Sequence, residues 1–311
     1  MTHNHLVPGS SPGGTTKTPL SCLALRVFYY YQARIYYFYV VHKNLVIKLI
    51  TVVCLTLGYT TPQALAQESK DITSLAYGNS QWALVMSSGT GYETQGYKLN
   101  PSFPSDKISD GWDKKQDVTL LSYCNGSWMV VMSADGDNAQ TWRTDPEFPK
   151  DKIQEEWDNG KHVVALDYGA GLWGLVMSSG TEFESQTWWT RKNFPENEIS
   201  EGWDEGKDIT SISYGNGVWA LVMSESDLHS QKWWTRSYFP ENEIKEGWDE
   251  GRKITSLTYG DGVWVLVMSK GSRLHSQQWW TRSNFPKDEI KEGWGASKPD
   301  SPWFVEDLPN K

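Results

Sequence analysis

One tryptophan recurs behind a glycine-bearing turn at Trp82, Trp128, Trp173, Trp219 and Trp264. A second series closes each unit at Trp112, Trp157, Trp203, Trp248 and Trp294, and both advance by 45 or 46 residues. A period of this length admits few architectures. Each unit is too small to bury its own aromatic side chains and must cover them with its neighbours, in a stack or a ring.

The copy from Lys207 to Trp248 shows the unit best: KDITSISYGNGVWALVMSESDLHSQKWWTRSYFPENEIKEGW. Ile209-Thr210-Ser211-Ile212-Ser213-Tyr214 alternates apolar and polar residues, which predicts a strand with two distinct faces. Gly215-Asn216-Gly217 supplies the positive-φ residues of a tight hairpin. Val218 to Met223 is an almost unbroken apolar run, suited to a strand buried on both faces. After a variable polar loop, Gln231-Lys232-Trp233-Trp234-Thr235-Arg236 predicts a third strand. Phe239-Pro240-Glu241-Asn242-Glu243-Ile244 then opens a short helix, with Pro240 expected at its first position. Acidic residues in that turn meet the positive end of the helix dipole. Ile244 and Trp248 stand four apart and share a face, and Gly251 is placed to end the helix.

The expected fold is therefore mostly β: five tandem repeats of about 45 residues forming a five-bladed β-propeller-like ring, with three strands plus a short helix per repeat, across residues 70–294. An open solenoid is the alternative. It usually needs atypical polar caps, whereas the first and last copies here keep their tryptophans.

The front of the chain follows another pattern. Asn44-Leu45-Val46-Ile47-Lys48 carries positive charge, Leu49 to Tyr59 is apolar, and Ala64-Leu65-Ala66 has the small-x-small form of a cleavage site. Residues 45–66 thus read as a secretory signal peptide cut after Ala66, which implies a secreted or periplasmic location. Left uncut, the segment would be a membrane anchor, and Val27 to Val41 is also aromatic-rich. Cys54 lacks the small residues of a lipoprotein box before it. Residues 1–44 read as a non-native or disordered extension: Gly9-Ser10-Ser11-Pro12 matches a translated transfer-RNA T-arm. Residues 295–311 form a C-terminal tail.

Cys22 and Cys54 fall in the leader, so Cys124 stands alone after cleavage and no intrachain disulfide is expected. It occupies the place of the turn glycines Gly78, Gly169, Gly215 and Gly260, as a local substitution. The net charge of -9 argues against a nucleic-acid partner or an anionic membrane surface.

No nucleophile motif, phosphate loop or zinc spacing is present, and no cofactor or metal is expected. Asp135-Gly136-Asp137-Asn138 has the flavour of a calcium loop but lacks its spaced ligands and closing Glu. His229 and His275 occupy matching loops, each followed by Ser-Gln. They are surface histidines on the plainer reading and a catalytic pair on the sharper one. Trp203-Asp204 and Trp248-Asp249 match the WD dipeptide only superficially, since they close a helix.

The third strand carries the sharpest signal. Its first aromatic position holds Tyr97, Trp142, Trp188, Trp233 and Trp279, and its second holds Lys98, Arg143, Trp189, Trp234 and Trp280. Neighbouring strand residues face opposite ways, so the first series reads as packing and the second as partly wet. The candidate ligand contacts are Trp189, Trp234 and Trp280, with Arg191, Arg236 and Arg282 two residues on. A long Lys or Arg stem covers apolar surface as Trp does, so plain packing is the competing account.

The order Trp82-Ala83-Leu84-Val85-Met86-Ser87-Ser88-Gly89-Thr90, Gln95-Gly96-Tyr97, Phe103-Pro104, Ile108 and Trp112 resembles a known repeat domain. It is a domain of unknown function found C-terminal to the kinase in plant casein-kinase-I-like photoregulatory kinases, and in bacterial proteins. The likeness spans Lys70 to Trp294, and the Trp-Trp-Thr-Arg form of the last three units departs from the plant pattern. No kinase motif is present, so the resemblance implies a non-catalytic recognition module and carries no active-site residues across. The expected function is a secreted binding module for a protein or carbohydrate. An enzyme with a loop-based site and a structural envelope or matrix protein are the alternatives.

Overall fold

The structure, a computed structural model, describes residues 68–134 and 139–295. The expected leader, the tail from residue 296 and the Asp135–Asn138 stretch lie outside the described residues. Among those described, no helix is long and apolar enough to cross a membrane.

Five units follow one another. The first holds β1 (Asp71–Gly78), β2 (Gln81–Ser87), β3 (Thr94–Asn100) and α1 (Ser105–Trp112). The second holds β4 (Asp117–Cys124), β5 (Ser127–Ala134), β6 (Gln140–Asp145) and α2 (Lys150–Asp158). The third holds β7 (His162–Gly169), β8 (Leu172–Ser178), β9 (Gln186–Arg191) and α3 (Glu196–Asp204). The fourth holds β10 (Asp208–Gly215), β11 (Val218–Ser224), β12 (His229–Arg236) and α4 (Glu241–Asp249). The fifth holds β13 (Lys253–Gly260), β14 (Val263–Lys270), β15 (Gln277–Arg282) and α5 (Lys287–Trp294).

Each hairpin turns on two left-handed residues, such as Asn216 (φ 50) and Gly217 (φ 75) or Asp261 (φ 48) and Gly262 (φ 78), as the twist of a two-residue antiparallel loop requires. Gly215 is not one of them. It stays in the strand because the Tyr168 ring of the preceding unit lies where its Cβ would be, 2.0 Å from the tyrosine Cβ. Tyr214 stands over Gly260, Tyr259 over Gly78 and Tyr123 over Gly169 in the same way.

The three strands of a unit do not form one sheet, contrary to the expected division into blades. Each sheet pairs a unit's own hairpin with the third strand of the unit before: β4-β5 with β3, β7-β8 with β6, β10-β11 with β9, β13-β14 with β12. The helix and its loop leave the third strand beside the next hairpin's central strand, so consecutive units interlock through main-chain bonds. At the seam β15 completes the sheet of β1 and β2, with Trp279 opposite Val85 and Trp280 opposite Leu84. Lys70 N–H also donates to the Gly293 carbonyl at 2.8 Å. The first strands follow one another around the centre, β1 beside β4 and β13, β10 beside β7 and β13. The units therefore close into a ring and the open array does not form. Propeller-like describes it loosely, since these are five separate three-stranded sheets and no closed barrel.

The core is divided among the spaces between sheets. One cluster joins Trp219, Leu221 and Met223 to Val265 and Val267 of the next sheet, with Ile199 of α3 beneath. Such a space is filled only when two neighbouring units are present, which is why no unit is stable by itself. The helices behave as expected along their lengths: Ile244 is fully buried with Trp248 beside it, and Gly251 leaves α4 at φ 77. Pro240 sits one place earlier than the sequence suggested. It is the N-cap, at φ -82 and ψ 54, and its carbonyl accepts from Ile244 N–H at 3.0 Å. A proline needs no N–H at either position, so sequence preference does not separate them.

Candidate functional site

In the first aromatic series Tyr97 is buried, while Trp142, Trp188, Trp233 and Trp279 are only half-buried, like the second series. Trp188, Trp233 and Trp279 lie against Phe148, Phe194 and Phe239 with ring centroids 4.8–4.9 Å apart. The second series, on the opposite face, holds Trp189, Trp234 and Trp280 half-buried. They face Leu221, Leu266 and Leu84 of the central strands. Each belongs to a different sheet and leans on a different core cluster. The three tryptophans thus form three like surfaces around the rim and do not converge. Lys232 lies over the Trp234 ring at 5.9 Å.

The arginines two residues on are already engaged. Arg191 Nε donates to Glu198 at 2.5 Å, Arg236 to Glu243 at 2.6 Å and Arg282 to Glu289 at 2.5 Å, and each Nη1 donates to the carbonyl of the preceding threonine. In the second unit the same two places hold Asp145 and Lys152, again paired at 2.6 Å with the polarity reversed. Lys152 holds the Asp145 carboxyl below its ordinary range, with help from the Glu147 N–H. What recurs is the strand-to-helix ion pair, not a positive charge.

Arg143, in the second-series place, is paired with a buried carboxylate while its own side chain is 35% exposed. Its partner Glu156 is 3% exposed and also meets Lys161 at 3.2 Å. Glu156 stands where the other helices have glycine, and Gly202 and Gly247 there lie under the sulfurs of Met223 and Met268. The Arg143–Glu156 substitution is therefore coupled. In the first unit Lys98 takes the tryptophan's place opposite Val130, and the helix keeps Gly111.

His229, which opens β12, and His275, in the loop before β15, are both exposed. The His229 ring lies beside Gly271 and the His275 ring beside Gly89, so each presses on the loop after the central strand of the next unit. Among the described residues no group of His, Cys, Asp and Glu could hold a metal ion.

One recurrent side chain had no role assigned from the sequence. The glutamine that opens each third strand reaches the first strand of its own unit at a one-residue bulge, as between Ile209 and Ser211. Gln231 Oε1 accepts from Ile209 N–H at 2.7 Å, and its Nε2 donates to the Ile209 carbonyl at 3.1 Å. Nε2 also donates to Ser269 of the next unit, and Oε1 accepts from Trp203 of the unit before. Gln95, Gln140, Gln186 and Gln277 make the same main-chain pair. Its invariance at one repeat position was the available signal.

The ring axis holds a cavity of about 150 Å³ lined by the five first strands. Their residue levels run from Thr73, Thr119, Thr210 and Thr255 down to Ser122, Asp167 and Ser213. Asp167 is half-buried and faces this cavity, and the loss of water around it pushes its carboxyl up to about 6. Its Oδ2 accepts from Tyr123 N–H at 2.7 Å and Oδ1 from Tyr168 N–H at 2.9 Å. Burial also pushes the Cys124 thiol up to about 12, with Ser122 Oγ 3.2 Å from its sulfur. A second cavity, of about 270 Å³, shares Thr73, Thr119 and Thr255 and is rimmed by Tyr92, Leu228 and Leu274 from the loops.

A family model described as a domain of unknown function (DUF7477) matches residues 63–263 and again 136–298. The overlapping matches fit a chain of like units that can be laid on one model in more than one register. No curated protein and no solved structure matches the chain.

Proposed function

The chain belongs to the DUF7477 family, whose function is unknown, and from its geometry we propose that it is a non-catalytic binding module for a protein or carbohydrate. The ligand contacts are Trp189, Trp234 and Trp280 on the rim, with the Arg191–Glu198, Arg236–Glu243 and Arg282–Glu289 pairs as polar flanks. The observation that carries this reading is Lys98. It fills the tryptophan's place beside a helix that keeps Gly111, so the architecture accepts a cation where three later sheets keep a half-buried indole. Partly exposed Trp between hydrogen-bonding neighbours is the usual make-up of an interaction hot spot. Three such places on one rigid ring also allow one extended ligand to be held at several points.

The test is a triple exchange, Trp189→Lys, Trp234→Lys and Trp280→Lys, assayed by melting temperature and on glycan and peptide arrays. A contact role predicts a folded protein that has lost its ligand, since such indoles contribute about 2 kcal/mol or more each. A core role predicts a cost of about 3–5 kcal/mol per site and an unfolded variant, which would sink the proposal. We place the protein outside the cytoplasm on the strength of the 45–66 leader pattern. N-terminal sequencing of exported material is expected to begin at Gln67.

A further inference from the structure

None of the rim residues reaches the ring axis. At one level of the axial cavity the five units carry Ala76, Ser122, Asp167, Ser213 and Thr258, which face Ala83, Met129, Gly174, Ala220 and Val265 of their central strands. Only the third unit puts a charge there. Two donors reach that carboxylate, the Tyr123 and Tyr168 N–H groups. Two carboxylate oxygens can accept about four. Among the described residues no cation pairs with it. A half-buried carboxylate facing a cavity without a counter-ion is costly.

A second, independent orphan lies beside it. The Ser213 hydroxyl, on the next strand around the ring, is 3% exposed, lines the same cavity and has no hydrogen-bond partner. The corresponding Ser122 hydroxyl does have one, in the Leu75 carbonyl of the strand before. The cavity is about ten times the roughly 10–15 Å³ that one water needs, and its mouth leads into the loop-face vestibule walled by Tyr92, Leu228 and Leu274.

We propose that the axial cavity is a binding site for a primary ammonium on an unbranched aliphatic stem, with Asp167 as counter-ion, Ser213 Oγ as a further acceptor and the stem running toward the mouth past Leu120 and Ala165. One net negative charge matches one ammonium. A primary ammonium brings three donors, for which the two spare carboxylate lone pairs and the orphan hydroxyl are acceptors. The stem replaces water against Leu120 and Ala165, two residues nearer the mouth on the same strand faces. A free alkylamine and the lysine side chain of a peptide share this chemistry.

The experiment is calorimetric titration of the full chain at neutral pH with n-butylammonium, with the neutral isostere 1-butanol and with a blocked lysine tripeptide. Butylammonium is expected to bind one to one and butanol not at all. Asp167→Asn, the closest neutral shape, is expected to weaken the amine about 10- to 100-fold, the loss typical of one charged hydrogen bond. In the unaltered protein, carbon-13 NMR of the Asp167 carboxyl should show its titration moving to lower pH when amine saturates. Tighter binding of the tripeptide would make a peptide the source, and weaker binding a free amine. Equal binding of butanol, undiminished binding to a folded Asp167→Asn variant, or no amine binding with an unmoved Asp167 titration would each overturn the site.

Discussion

The ring of Tyr214 lies against Gly260, where a Cβ would come within 2.1 Å of the tyrosine's own Cβ and 3.1 Å of the Trp219 ring. This contact is one of the steps by which each first strand rests on the next around the axis. Gly260→Ala must displace a half-buried aromatic ring packed on the core and is expected to destabilise the protein by about 1–3 kcal/mol. Denaturant unfolding measures it. An Ala variant as stable as the parent would mean that the tyrosine is loosely held.

The glutamine clamp gives a larger expected loss. Gln231→Ala leaves the Ile209 N–H and carbonyl at the bulge without partners, and the Trp203 indole N–H with them. Two or three buried orphans at about 1–3 kcal/mol each should cost at least about 3 kcal/mol. Gln231→Glu keeps the acceptor and loses both donors, so it is expected to fall between parent and Ala. Thermal melts of the three proteins order them.

The rim ion pairs should contribute little singly. Arg191 and Glu198 are side-chain exposed by 48% and 14%, and single neutralisations are expected to change stability by about 0–1 kcal/mol. The double exchange Arg191→Asp with Glu198→Lys copies the Asp145–Lys152 pair of the second unit and should recover the loss of either reversal alone. A double-mutant cycle with no coupling would show that the pair is not what recurs.

Asp167 predicts a pH dependence of definite sign. Its carboxyl is raised to about 6 in the folded protein, against about 3.9 in an unfolded chain. Between those values the folded state holds the proton more firmly, so this group's contribution to stability falls as pH rises from about 4 to 6 and is level above that, by at most about 3 kcal/mol. Cys124, the other shifted group in this part of the ring, stays a thiol throughout this range. Asp167→Asn should flatten the parent's decline between pH 4 and 7, read from denaturant midpoints. An unchanged slope would mean that the carboxylate keeps its water.

Much of this was legible in one unit of sequence. The alternation from Ile209 to Tyr214, the turn at Asn216-Gly217, the apolar run to Met223 and the Ile244–Trp248 helix face are local patterns, each tied to backbone geometry, and five copies at a fixed period made a multi-unit array unavoidable. The leader reading falls on residues outside the description. Tertiary structure decided what local pattern does not encode: which sheet a third strand joins, and whether β15 finds β2. Both are pairings across units, identical in local sequence whichever neighbour is chosen, and set by the packing of two hairpins over one core. The same holds for the candidate residues. Spacing put Trp189, Trp234 and Trp280 on one kind of surface, but only the assembled ring showed them on three separate sheets, with their arginines bound to helix glutamates. Asp167 was one polar residue in an alternating strand until five such strands met at an axis. There the neighbouring strands, which no single repeat contains, turned it into a half-buried charge facing a cavity.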